Sequence, residues 1–417
     1  MLALAGLVGV PVSVAAFAFL ALLHWLTGFV WEDLPERWGL DPVPWWWPVP
    51  WLLVGGVLVA VAVSRLPGHG GHVPIAGLSA EPVPPSHLPG ILLAALGGLP
   101  LGVVLGPEAP LMAVGAALAT ILAGRWIARG PENALVSTSG SAAAVAVIFG
   151  SPLVAAVFIL ESAGRAGLRQ TLVVLPCLLS AGVGALVFTG LGEWTGLAVP
   201  SLSLPGLDVP ARPDLADLLW TIPLAVVIAV GVRQVHHLGR RLVPHATRRP
   251  ALMAMVAVAV TAAAAAAYSL LTGRSPVEVL LSGQEGLGTF TQEGDVPGAW
   301  ALAALLVLKG LAYAVSLATL RGGPIFPALF LGAAFGVLLS GLPGFGTAPA
   351  MAAGMAAATA AILPLPVSAA VLVTLLLGSG AAGMTPIVLI AVVVAFATER
   401  LIDRDGGEAR EPAPGPA

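Results

Sequence analysis

Residues 106–119, GPEAPLMAVGAALA, decide the fold of this chain, because they place one carboxylate between two prolines at the start of an apolar run. The prolines favour a first helical turn at Glu108, and small residues from Gly115 onward let a second helix approach closely. The start of a helix presents free backbone N–H groups, which attract a carboxylate and also bind small anions. The stretch therefore predicts that Glu108 and an anion compete for one site.

A plainer interpretation is that Glu108 only favours the helix start from a solvated loop. The flanking sequence argues against it, since ILLAALGGLPLGVVLGP before Glu108 and APLMAVGAALATILAG after it carry no other charge. An acidic residue inside a membrane segment is functional by default, because its burial is costly. We therefore expect Glu108 to act in the function of the protein.

Composition indicates a multi-pass protein of the cell membrane. Of the 417 residues, 58% are hydrophobic and 9% are charged, against about 25% charged in an average soluble domain. The net charge of -3 gives no sign of nucleic-acid binding, and the single cysteine excludes a disulfide within the chain. No cofactor or metal is predicted, because His69 and His72 have no cysteine or acidic partner at ligand spacing.

Several apolar segments are long enough to span a bilayer, which takes about 20 residues in a helix. They lie at about 3–30, 48–65, 170–191, 217–235, 250–272 and 298–319. Arginines in the segment RQVHHLGRRLVPHATRR that follows residue 232 place it in the cytoplasm, and the same arginines also suit docking of lipid headgroups. The remaining apolar segments are short and interrupted by Gly and Pro. The fold class predicted is an all-α polytopic membrane protein with broken and re-entrant helices.

The chain also contains an internal repeat. Residues 106–119 match 323–336 at six of fourteen positions, and 140–158 match 354–372 at ten of nineteen. Matching Gly/Pro-interrupted segments in two halves are a pointer to a transport site where helix N-termini face an anion. We expect a transport domain over 1–403, with halves at about 1–192 and 215–403, two N-termini near Glu108 and Ile325 that face one another, and a disordered cytoplasmic tail over 404–417.

Three motifs resemble the chloride channel and proton/chloride antiporter family over roughly residues 70–400. GPEAP at 106–110 is similar to the family's Gly-Arg-Glu-Gly-Pro gate motif, and GPENALVSTSGSAAAVAVIFGSPLVAAVFILE at 130–161 and LRGGPIFPALFLGAAFG at 320–336 resemble two further segments. The resemblance implies two inverted halves, a homodimer in the lipid bilayer and one anion pathway per subunit. It also implies that Glu108 is the gate, that a small inorganic anion is the substrate and that antiporters move protons as well.

The resemblance further implies site residues. The anion-binding backbone would lie at Gly106, Pro107, Ala109, Ile325 and Phe326, and the family's Gly-Ser-Gly-Ile-Pro loop would fall on GGHVP at 70–74. Gly71 then stands where the family has an anion-binding serine. Weak or shifted selectivity among anions is the expected result.

Other departures concern Pro324, the tyrosines and the proton pathway. Pro324 has no N–H to donate, the family's last helix and pathway tyrosine have no match, and Tyr268 and Tyr313 lie elsewhere in apolar runs. Glu161 and Ser162 match the proton pathway, but Ser162 stands where antiporters carry a glutamate. Glu161 is equally explained as a helix-end acid paired with Arg165.

We therefore expect anion transport through a glutamate-gated pathway, passive or proton-coupled, with a slight preference for passive or loosely coupled flux. Two alternatives remain: a degenerate family member without transport, and an intramembrane enzyme. The enzyme would need a nucleophile and a base within the membrane. The intramembrane hydroxyls, Ser137, Ser139, Ser141 and Ser151, have no histidine near them in the sequence, so we expect the protein not to be an enzyme.

Overall fold

The computed structural model describes residues 2–78, 82–124, 131–165, 170–195, 212–291, 296–378 and 381–405. The helices up to residue 195 are α1 (Leu2–Gly28), α2 (Leu34–Arg37), α3 (Pro48–Arg65), α4 (Leu88–Gly98), α5 (Glu108–Ala123), α6 (Pro131–Ile148), α7 (Pro152–Arg165) and α8 (Gln170–Thr195). Those that follow are α9 (Leu215–Arg248), α10 (Pro250–Thr272), α11 (Ala299–Thr319), α12 (Ile325–Leu339), α13 (Thr347–Ile362), α14 (Pro366–Leu376) and α15 (Ala381–Asp405). Short 3-10 turns connect several of them.

Proline sets the start of many of these helices. The first residue of α3, α6, α7, α10 and α14 is a proline, because its fixed φ suits the first turn and its missing N–H would have no partner there. Asp214 and Asp217 start α9 differently, since each side chain accepts a hydrogen bond from the backbone N–H of the other, at 2.8 and 3.0 Å.

The helices divide into two classes by length. Seven described helices are long and apolar enough to cross a membrane: α1 together with its continuation to Arg37, α3, α8, α9, α10, α11 and α15. Six apolar segments that include α4, α5, α7, α12, α13 and α14 are shorter, and α6 belongs to neither class. Short helices at membrane depth need protein around their ends, because lipid cannot satisfy the free backbone groups. The predicted all-α polytopic fold with broken helices is confirmed.

The internal repeat is visible as two equivalent helix pairs. A Cβ added to Gly115 on α5 would lie 2.5 Å from the Gly140 carbonyl oxygen on α6, and one added to Gly332 on α12 would lie 2.3 Å from the Gly354 carbonyl oxygen on α13. The backbones touch at both crossings, so only glycine fits. The sequence alignment paired Gly115 with Gly332 and Gly140 with Gly354, and the structure repeats that contact.

Some boundaries differ from those expected. The span predicted at 217–235 is part of a longer helix that ends at Arg248, and the arginine-rich segment after residue 232 forms its last turns. The last helix, α15, continues to Asp405, so residues 404 and 405 of the predicted tail belong to it. The rest of that tail, 406–417, lies outside the described residues.

Candidate functional site

The two repeats meet where α5 and α12 begin. The Gly106 N–H donates to the Gly323 carbonyl oxygen at 2.8 Å, and the Gly323 N–H donates to the Gly106 carbonyl oxygen at 2.5 Å. The two glycines form an antiparallel bridge, and they are equivalent in the repeat. An antiparallel contact between equivalent residues is what a two-fold axis between inverted halves produces. The predicted meeting of two helix N-termini is therefore present.

The Glu108 side chain reaches from the start of α5 to the start of α12. Its Oε1 accepts hydrogen bonds from the backbone N–H groups of Ile325, at 2.8 Å, and Phe326, at 3.2 Å. Glu108 is 1% exposed, and within the described part of the chain its Oε2 has no hydrogen-bond partner. The carboxylate thus occupies two free N–H groups at the positive end of a helix, which is where a small anion would bind.

Glycine is required on both sides of this carboxylate. A Cβ on Gly106 would lie 2.0 Å from Glu108 Oε2, and a Cβ on Gly323 would lie 1.9 Å from the same atom. A side chain on either glycine would therefore collide with the Glu108 carboxylate.

Tyr313, on α11, fixes the segment that leads into α12. It is 1% exposed, and its hydroxyl donates to the Pro324 carbonyl oxygen at 2.5 Å. Because Pro324 has no N–H, this carbonyl is the only backbone group through which the residue can be held. Sequence reasoning set Tyr313 aside, since its contact lies across a turn that an apolar run does not reveal.

The predicted donors are not equally available. The Gly106 N–H is used in the bridge to Gly323, and Pro107 has none. Ala109 lies half-buried in the first turn of α5. Of the predicted positions, Ile325 and Phe326 are those whose N–H groups point at the Glu108 carboxylate.

Gly71 lies in a loop whose backbone selects glycine. Its φ of 97° and ψ of -167° fall in a region that is essentially reserved for glycine. Its N–H donates to the Gly68 carbonyl oxygen at 2.8 Å, and a Cβ would lie 3.1 Å from Ile91. Gly71 is not among the groups that bond the Glu108 carboxylate. The loop as folded does not admit a serine without strain.

Glu161, near the end of α7, caps α14. Its Oε1 accepts from the Val367 N–H at 3.1 Å, and its Oε2 accepts from the Ser368 N–H at 2.8 Å and the Ser368 hydroxyl at 2.7 Å. Ser162 is half-buried beside it, and the Arg165 side chain lies outside the described residues. The structure thus brings Glu161 to the start of α14 and not to Glu108.

Two cavities lie on either side of this region. One of about 220 Å³ is lined by Pro107, His24, Glu278, Gln284 and Phe330, among others, and Pro107 places it beside Glu108. Its wall is formed by the loop that follows α10, so it lies on the side opposite the basic segment of α9. We call it the outer cavity, because the arginines of that segment are expected in the cytoplasm.

The second cavity, of about 340 Å³, lies on the basic side. Its lining includes the arginines Arg233, Arg240 and Arg400 together with His237 and the acidic Glu399. Three arginines against one carboxylate leave this lining net positive, and a positive potential raises the local concentration of anions.

Lys309 holds the wall of the outer cavity. It is completely buried on α11, and its Nζ donates to the carbonyl oxygens of Glu278, Val279, Leu280 and Leu281 at 3.0, 3.2, 2.7 and 3.4 Å. The ammonium group also lies 4.6 Å from the centre of the Phe330 ring. One side chain therefore ties four consecutive residues of the loop to the core.

A comparison with protein families matches residues 52–400 to the family described as voltage gated chloride channel. The chain belongs to the voltage-gated chloride channel family. Among curated relatives, the putative ion-transport protein YfeO of Escherichia fergusonii is 30% identical over 343 residues, which is 80% of this chain and 77% of that protein. YfeO of Salmonella choleraesuis is also 30% identical and covers 80% and 78%.

Solved structures with the same helix arrangement can be superposed on this chloride channel family member. A slow cyanobacterial Cl-/H+ antiporter superposes with a TM-score of 0.73 at 19% identity, over 98% of this chain and 99% of that one. A CLC-type fluoride/proton antiporter superposes with a TM-score of 0.65 at 19% identity, over 96% and 95%. Both are whole-chain matches, so the described helices are arranged as in that fold.

Proposed function

We propose that this protein moves a small inorganic anion across the membrane and that Glu108 gates the pathway. The observation that carries the proposal is the pair of hydrogen bonds by which Glu108 Oε1 occupies the N–H groups of Ile325 and Phe326. Membership of the chloride channel family supports anion transport, passive or proton-coupled. The similarity to putative ion-transport proteins and to the structures of chloride and fluoride antiporters supports it further.

The gate works by competition for one set of donors. While Glu108 is ionised, its carboxylate is the anion that binds the start of α12. Protonation removes the negative charge, which weakens the hydrogen bonds to the N–H groups and lets the side chain leave. A free anion then takes the same donors, and the pathway conducts.

The enzyme alternative finds no support in the contacts of the intramembrane hydroxyls. Ser137 and Ser141 donate to carbonyl oxygens of α5, Ala116 at 3.3 Å and Met112 at 3.1 Å. Ser139 bonds to Leu135 and lies 3.8 Å from Cys177. These contacts join helices to one another, as hydroxyls commonly do within membranes.

The test is anion efflux from liposomes that contain the purified protein, measured with a chloride-selective or a fluoride-selective electrode. We expect efflux from the unmodified protein to increase as pH falls, by up to about tenfold per pH unit, the limit for one titrating group. Glu108→Gln and Glu108→Ala should lose this pH-dependence, because neither side chain changes charge.

Glu285→Gln is the matched control, since Glu285 is half exposed at the outer cavity and should leave the pH-dependence unchanged. Efflux no greater than in protein-free liposomes would favour a degenerate member without transport. An unchanged pH profile in both Glu108 variants would remove Glu108 from the mechanism.

The family resemblance also supports a homodimer with one pathway in each subunit. Mass measurement of the protein in lipid nanodiscs tests this assembly, and a single chain per particle would contradict it. Because each subunit carries its own Glu108, we expect the efflux test to give the same result in either state.

A further inference from the structure

Arg321 is a buried charge that the gate does not use. It lies in the segment that joins α11 to α12 and is 9% exposed. Only Gly322 separates it from Gly323 in the chain, so its Cα lies within about 7 Å of the glycine that contacts Glu108. The guanidinium group is therefore part of the same region of the protein.

The contacts of Arg321 leave its charge uncompensated. Its Nε donates to the His69 carbonyl oxygen at 3.0 Å, and its Nη1 donates to the Leu320 carbonyl oxygen at 3.1 Å. Within the described ranges, the ion pairs of the chain involve other side chains, and no carboxylate bonds Arg321. Its Nη2, with two N–H donors, makes no hydrogen bond to a described residue, and it is not among the fully enclosed atoms that lack a partner, so a small ligand can reach it.

A guanidinium group in this position needs a counter-ion. A buried charge without an opposite charge is destabilising, and charged side chains at membrane depth are paired or mark ion pathways. The carbonyl oxygens of His69 and Leu320 satisfy two donors but carry no net charge. In a protein that passes anions, the anion itself is the available partner.

The loop against which Arg321 packs is built around its side chain. Gly68, His69, Gly70 and Gly71 all have positive φ, and a Cβ on Gly70 would lie 3.2 Å from Arg321 Cγ. The chain continues from this loop to Ile75 and Ala76, which line the cavity on the basic side together with Arg240. The loop is therefore expected on the cytoplasmic side. Arg321 thus stands between Glu108 and the cytoplasm.

We infer that Arg321 supplies the fixed positive charge of a second anion-binding site, on the cytoplasmic side of Glu108, for the same small inorganic anion. The inference rests on the proposed function, because it names a further ligand on the same pathway. The free Nη2 donors bind the anion, while Nε and Nη1 keep the guanidinium group in place. A site of this kind provides charge where Gly71 provides no hydroxyl.

Thermal unfolding of the purified protein at increasing fluoride, chloride or nitrate concentration, with gluconate as the replacement anion, tests the site. A ligand that binds only the folded state raises Tm as its concentration rises. We expect this rise in the unmodified protein. Arg321→Gln should weaken the anion affinity at least tenfold, and without added anion its Tm should be equal to or higher than that of the unmodified protein, because the unpaired charge is gone.

Arg65→Gln is the matched control, since it removes an exposed arginine from the same side of the protein and should leave the anion response unchanged. A purely structural Arg321 predicts the opposite pattern: a lower Tm without anion in Arg321→Gln, and an unchanged anion response. That pattern, or no anion response in the unmodified protein, would overturn the inference.

Arg321→Lys keeps the experiment decisive if Arg321→Gln fails to fold. Lysine keeps the charge but not the planar set of donors, so the variant should retain an anion response with weaker affinity, and a lost response would count against the site. Efflux separates the two proposals. If the protein shows no efflux but its Tm still rises with anion in a way that depends on Arg321, only the proposed transport function is wrong. If efflux is normal but the rise in Tm does not depend on Arg321, only the second site is wrong.

Discussion

Gly106 and Gly323 each donate a backbone hydrogen bond to the carbonyl oxygen of the other. The two glycines occupy equivalent positions in the two halves of the internal repeat. The carboxylate of Glu108 lies against this pair, with no space for a side chain on either glycine. The bridge therefore fixes both the meeting of the repeats and the position of Glu108, the proposed gate.

Gly323→Ala should displace the gate. The new Cβ would lie 1.9 Å from Glu108 Oε2, and the flexible carboxylate is the part that can move away. We expect efflux with little pH-dependence, as in Glu108→Ala, measured with the same electrode. Gly231→Ala, with no atom within 4 Å of its Cβ, is the control. A normal pH profile in Gly323→Ala would show that the gate does not need this space.

Gly354→Ala should destabilise the protein through helix packing. A methyl group there would lie 2.1 Å from the Gly332 carbonyl oxygen, so α12 and α13 would have to separate, at a cost of about 1–3 kcal/mol. Thermal unfolding in detergent measures the change, again against Gly231→Ala, which is expected to be neutral or up to about 1 kcal/mol stabilising. Equal Tm values for the two variants would contradict the close contact.

Proton coupling should be weak or absent. Three hydrogen bonds hold Glu161 at the start of α14, and the hydroxyl of Ser162 cannot carry a proton as a carboxylate can. We expect an anion gradient across proteoliposomes to drive no uphill proton movement, recorded with a pH electrode. Pumping by the unmodified protein that disappears in Glu161→Gln would instead assign the proton relay to Glu161.

Glu161→Ala should also lower stability, by about 0.5–2 kcal/mol, because it removes a helix cap. Ser368→Ala removes only the side-chain donor of the three and should cost less. Thermal unfolding compares the two variants. A larger loss in Ser368→Ala would mean that Glu161 is not the group that holds the start of α14.

Selectivity among anions tests the loop at Gly71. Gly71→Ser and Gly71→Ala should destabilise the protein alike, by about 1–3 kcal/mol, since both place a side chain at a φ of 97°. Only serine adds a hydroxyl, so the difference between the two in chloride, nitrate and fluoride efflux isolates its effect. We expect weak selectivity in the unmodified protein. Sharp chloride selectivity that neither variant alters would show that the loop is not a ligand.

The sequence predicts the parts of this fold that depend on local rules. Proline and glycine at matching positions in the two halves predict the paired helix starts at Glu108 and Ile325, and Gly115 predicts a close helix crossing. These features are set by residues that have few alternative conformations. The anion-binding and gating roles remain predictions.

Contacts between distant segments are what the sequence does not show. Lys309 is visible as the only lysine, but its four carbonyl partners lie about 30 residues earlier in a loop of unremarkable composition. Tyr313 and Glu161 likewise act on segments that no spacing rule connects to them. Arg321 did carry a signal, because it is a single charge in an apolar stretch, and such residues are functional by default.

The repeat is symmetric in its backbone and asymmetric at one position. Ile325 occupies in the second half the place that Glu108 occupies in the first, and their helices begin at the same bridge. Two separate copies of one repeat would have to carry the same residue at both places, and two carboxylates so close cannot both stay ionised. Joining the repeats in one polypeptide allows each to change independently. Fusion is thus what allows a single carboxylate, Glu108, to face a neutral set of backbone donors.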